Sequence, residues 1–130
     1  MTASLPSLQD VLAQDFGTLP DLVRIHARER PTHPALRDPA TSLDYAGLDA
    51  AMDRVAAALQ RDGLGIGDTL AICAASSVAY AVVFLGALRA GVAVAPLAPG
   101  STPASLRRMR CGLRSTRWSR PMTRLVPRRN

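Results

Sequence analysis

The side chains able to do chemistry are few, and their spacing assigns them to structure. His26 and His33 are the only imidazoles, and two histidines without carboxylate or thiolate partners at ligand spacing make neither a metal centre nor an acid–base pair. His26 falls on an apolar helical stripe and reads as a packed helix histidine. Cys73 lies inside an uncharged run of strand length and reads as a small buried hydrophobe. Cys111 lies far from it in a basic tail. No motif pairs the two, which suits a reduced, cytoplasmic setting. Gly63, Gly65 and Gly67 alternate in GLGIG. A phosphate cradle needs its glycines after a strand and opening a helix, whereas these follow a helix and precede a strand, so they read as a turn. No residue is assigned a catalytic, cofactor-binding or metal-binding role.

The charge is as informative as the motifs. The formal net charge of +6 averages two unlike parts: residues 107–130 hold nine Arg and no acid, while residues 1–106 hold seven Arg against ten acids. All sixteen basic residues are Arg, and the chain contains no Lys. At 130 residues and 13.8 kDa the chain is one domain at most, able to bury about two thirds of its unfolded surface. A hydrophobic content of 48% argues against disorder overall. The start, MTASLPSLQD, lacks the basic and apolar regions of a secretory signal.

The elements centre on Gly67–Pro99, which reads as a βαβ unit. Thr69–Ala74 is the first strand, Ser76 or Ser77 caps a helix over Val78–Ala90, and Val92–Ala95 is a second strand stopped by Pro96. A crossover helix predicts parallel strands. The helix is apolar over most of its circumference, which predicts burial on more than one side. Leu70–Leu88 is also 19 residues without a charge, the length of a membrane span. Its Ala content and the central Ser76 and Ser77 divide it into strand, cap and helix instead, so no membrane span is expected.

Upstream, Leu5–Phe16 is a loosely helical leader. Thr18 and Asp21 have capping-box spacing ahead of a helix over Leu19–Arg30, whose stripe is Leu19, Leu22, Val23, His26 and Ala27. Ala35–Arg37 and Ser42–Leu43 form a hairpin turned by Asp38, Pro39 and Ala40. Asp44 caps an amphipathic helix over Tyr45–Arg61. There Tyr45, Leu48, Met52, Val55, Ala56 and Leu59 face inward, and Asp49, Asp53, Gln60 and Arg61 face water. The fold class is α/β, with a short hairpin and two helices ahead of the parallel unit.

Three ordered motifs then resemble one family. LDYAGL (Leu43–Leu48), GLGIGDTLAI (Gly63–Ile72) and LRAGVAVAPLAP (Leu88–Pro99) are similar to the patterns L-[ST]-Y-x-E-L, G-[VL]-x-x-G-D-x-V-A-[IL] and L-K-A-G-A-x-x-x-P-L-x-P. These belong to the N-terminal portion of the adenylate-forming (AMP-binding) acyl-CoA synthetases, luciferases and peptide-synthetase adenylation domains. The resemblance covers residues 18–109, giving a leader (1–17), a partial large domain (18–109) and an Arg-rich tail (110–130). One departure is Gly47 at the Glu position of the first motif, which removes the reciprocal half of the capping box.

The resemblance implies ATP-dependent activation of a carboxylic acid as an acyl-adenylate, then transfer to a thiol such as coenzyme A, with the acyl-CoA ligase branch and fatty acid metabolism as the setting. That chemistry needs a phosphate loop, an acid for Mg²⁺ and a Lys at the reacting carboxylate. In the family these lie downstream of the matched motifs, and this chain has no Lys to supply. No cofactor is therefore expected to bind this fragment, with ATP, Mg²⁺ and coenzyme A implied for the full-length family, and the fragment is expected to be inactive.

The resemblance stops near Met109, where the family continues much like L-x-D-S-G-A-R. Codons allowed for Arg110–Arg117, read one base later, can spell Ala-Ala-Asp-Ser-Gly-Ala-Arg, which suggests a frameshift and an out-of-frame tail. The alternative reading is a small basic module whose arginines and Trp118 engage nucleic acid. A lone Trp makes no stacking platform. No specific nucleic acid is expected as a partner, only non-specific anion binding by the tail.

Overall fold

Local signals place each element in the computed structural model, which describes residues 7–13 and 17–104. In order these are α1 (Leu8–Leu12), α2 (Leu19–Glu29), β1 (Pro34–Arg37), β2 (Ser42–Asp44), α3 (Tyr45–Arg61), β3 (Thr69–Cys73), α4 (Val78–Arg89) and β4 (Ala93–Leu97). The ends of the Leu5–Phe16 leader, Cys111, Trp118 and the Arg-rich tail lie outside the described residues.

Each longer helix opens on a side-chain oxygen. Thr18 accepts from the Asp21 amide at 3.3 Å, and its hydroxyl donates to the Asp21 carboxylate. Asp is one methylene shorter than Glu, so the carboxylate meets the threonine hydroxyl. Asp44 accepts from the Gly47 amide at 2.7 Å. Ser77, not Ser76, caps α4, accepting from Tyr80 at 3.1 Å. These caps satisfy amides that have no partner inside the helix.

The hairpin β1–β2 is antiparallel, with Leu36 opposite Leu43 and Arg37 opposite Ser42. Asp38 makes its turn, accepting from Ala40 and Thr41 at 2.8 and 2.7 Å. The other oxygen of the same carboxylate accepts from the Val78 amide at 2.8 Å, fastening the hairpin to the start of α4.

β3 and β4 pair in parallel, with Leu70 opposite Val94 and Ile72 opposite Pro96. The predicted second strand stops at Pro96, but β4 runs through it to Leu97. The Ala93 amide donates to Asp68 at 3.0 Å. By alternation the odd-numbered residues of β4 then bond to β3, and Pro96 sits where its missing N–H would point away from the pair.

The helices pack on one face of this pair. Val55, Leu59, Leu64, Leu70, Ile72, Ala87 and Val92 form one cluster, and Val23, Leu48 and Met52 a second. The inward face predicted for α3 is buried from Leu48 to Leu59. Gly86 is where α4 meets α3: a Cβ there would lie 2.5 Å from Val55 Cβ and 3.2 Å from the Met52 carbonyl oxygen.

Three further expectations need correcting, and one is met in part. α4 fully buries only Val78, Gly86 and Ala87, with Val82–Leu85 half-buried; Tyr80, Val83 and Phe84 pack against the first cluster, Leu85 against the second and Val82 against both. Cys73 is exposed. By alternation it shares with Thr69, Ala71, Ala93, Ala95 and Leu97 the sheet face opposite the helices, where Ala71 and Ala95 are half-buried and Leu97 is buried, and the Cys73 Sγ donates to the Ala98 carbonyl at 3.4 Å. Leu19 is 55% exposed whereas Ile25, off the predicted stripe, is 3% exposed. Asp49, expected to face water, is half-buried in the charge cluster described next, whereas Asp53 joins that cluster while staying exposed as expected.

Candidate functional site

The densest polar constellation joins α2, α3 and α4. Arg89 closes α4, and its side chain is 11% exposed. Its Nη2 donates to Asp49 Oδ1 at 2.6 Å and to the Pro20 carbonyl at 3.1 Å. Its Nη1 donates to the Asp49 carbonyl at 2.9 Å and to Asp53 Oδ1 at 3.0 Å. Arg24 of α2 reaches the same acids, with Nη2 2.7 Å from Asp53 Oδ1 and Nε 3.6 Å from Asp49 Oδ1. Two guanidiniums thus face two carboxylates, and the shielded one also satisfies two backbone carbonyls. A rigid guanidinium fork suits this many acceptors better than a point charge would.

A cavity of about 410 Å³ opens beside the cluster, lined by Pro20, Asp21, Arg24, Ile66, Leu88 and Gly91 among others. Both arginines on its wall are already engaged by Asp49 and Asp53. The cluster is a clamp fixing three helices, with no spare nucleophile or proton-transfer group. Sequence reasoning missed it, although one signal was present. Asp49 and Asp53 stand four apart on α3, and like charges at that spacing are unfavourable unless a cation bridges them.

The glycine turn does not present the Gly65 amide to a phosphate. Gly65 donates its amide to Asp68 Oδ2 at 2.8 Å, so a carboxylate already holds the donor and its charge would repel a phosphate. Gly63 and Gly67 serve the turn through positive φ, 83° and 92°. Among the described residues no group of three His, Cys, Asp or Glu could hold a metal ion, and no helix is long and apolar enough to cross a membrane.

The histidines do come together, through an aromatic ring. Tyr45 lies between them, 4.8 Å from His26 and 6.2 Å from His33 by ring centroids. His26 Nδ1 is buried without a hydrogen-bond partner. His26 is packed as predicted.

The three sequence motifs occupy three junctions of this scaffold. LDYAGL carries β2 and the Asp44 cap of α3, GLGIGDTLAI the turn from α3 into β3, and LRAGVAVAPLAP the clamp residue Arg89 and the passage into β4. The second and third motifs touch: a Cβ on Gly91, whose φ is 76°, would lie 2.8 Å from Ile66 Cγ1.

A parallel βαβ unit with helices packed on one face, entered through these junctions, defines the class, and comparison with known proteins supplies the family. Residues 23–110 match the family of the AMP-binding enzyme, and the chain belongs to it. Nonribosomal peptide synthetase 5 of Gibberella zeae is 36% identical over 80 residues, 62% of this chain and 1% of that protein. VinN in complex with L-aspartate superposes with a TM-score of 0.67 at 28% identity, over 70% of this chain and 26% of that one. The fatty acid AMP ligase from Legionella pneumophila gives a TM-score of 0.63 at 27% identity, over 74% and 18%. The chain thus spans about a hundredth of the curated relative and roughly a quarter or less of the solved chains.

Proposed function

We propose that this chain is the N-terminal part of an adenylate-forming enzyme that activates a carboxylic acid with ATP as an acyl-adenylate and passes it to a thiol, and that the 130-residue chain is itself inactive. The observation that carries the proposal is the family match over residues 23–110, within which the three motifs build the junctions of the scaffold. The motifs read equally on the coenzyme A ligase branch and on peptide-synthetase adenylation domains. Several of the curated relatives are nonribosomal peptide synthetases, which supports the adenylation-domain branch over fatty acid metabolism.

The match ends at residue 110, where the acid-free arginine run takes over. This supports the reading of residues 110–130 as an out-of-frame tail. Sequencing the DNA beyond codon 110 is expected to show, in another frame, a phosphate loop and a Lys-bearing C-terminal domain. Unrelated sequence in all three frames would overturn the frameshift.

The chemistry is tested by acid-dependent exchange between ATP and pyrophosphate. The purified chain is expected to give none, since it has no Lys and its glycine turn is closed by Asp68. Exchange above a blank that disappears when the acid is withheld would overturn the assignment of inactivity.

A further inference from the structure

We draw no further inference here: the strongest candidate, the sheet face of β3 and β4 formed by Thr69, Ala71, Cys73, Ala93 and Ala95 with the adjoining outer edge of β3, carries nothing because no feature of the structure shows what covers it.

Discussion

Arg89 holds Asp49 by its side chain and its backbone at once, with Nη2 2.6 Å from Oδ1 and Nη1 2.9 Å from the carbonyl oxygen. One residue at the end of α4 thereby sets the position of α3, and through the Pro20 carbonyl that of α2. Removing one partner of a shielded ion pair strands the other charge, which costs about 3–5 kcal/mol. Arg89→Ala is expected to lower the unfolding free energy from urea titration by that order or to abolish cooperative unfolding. Arg24→Ala, at a side chain 44% exposed, is expected to cost no more than about 1 kcal/mol. Equal losses in the two variants would show that the clamp does not depend on Arg89.

Two helix glycines are expected to respond oppositely to alanine. At Gly86 the new methyl carbon would lie 2.5 Å from Val55 Cβ. Overpacking costs about 1–3 kcal/mol, outweighing the roughly 1 kcal/mol of helix propensity gained. At Gly47 the nearest atom is Asp44 Oδ1 at 3.1 Å, and a small shift of that carboxylate releases most of the gain. Denaturant titration of Gly86→Ala and Gly47→Ala should move the midpoint down and up respectively, and a stabilised Gly86→Ala would refute the close approach of α3 and α4.

Acid is expected to loosen the start of α4. Backbone donation from Val78, then from Ala40, holds the Asp38 carboxyl below its usual value. A group whose folded pKa is depressed contributes stability that is fully present above its unfolded value, about 3.9, and lost as pH falls through the lower folded value. Hydrogen exchange at Val78, followed from pH 6 downward and corrected for intrinsic rates, should lose protection below about pH 4. Asp38→Asn should remove that acid-dependent step, and an unchanged step would assign it elsewhere.

The arginines of residues 107–130 are expected to bring weak nucleic-acid affinity whatever the chain does. Counterion release makes such binding indifferent to sequence and lowers it by roughly three orders of magnitude between ~50 and ~200 mM salt for about six phosphate contacts. Fluorescence anisotropy on unrelated oligonucleotides checks this. A preference of ~4 kcal/mol for one site at physiological salt would favour a genuine binding module.

Much of the scaffold was legible because its determinants are local. Thr18, Asp44 and Ser77 cap helices within three residues of themselves, and the period of Leu48, Met52, Val55 and Leu59 identified the buried face of α3. What escaped depends on partners distant in sequence. Arg89 reads as an ordinary basic helix end until Asp49 is placed 40 residues back. Cys73 reads as buried until one asks what lies over its face of the sheet. Pro96 reads as a strand stop until the side of β4 that bonds to β3 is known. The turn role of Gly63 and Gly67 was legible from the order of elements, since they follow α3 and precede β3.

Helix α4 is fastened at both ends by acids that precede it by the same interval, Val78 to Asp38 and Arg89 to Asp49, each 40 residues back. The negative group meets the helix start and the positive group closes its end, so each also complements the helix dipole. The consequence is temporal. The caps and the hairpin close over a few residues, whereas each fastening must close a loop of 40 before it contributes anything. Both are therefore expected to form after the rate-limiting barrier, so that loosening either would shorten the lifetime of the assembled unit while leaving its rate of assembly nearly unchanged.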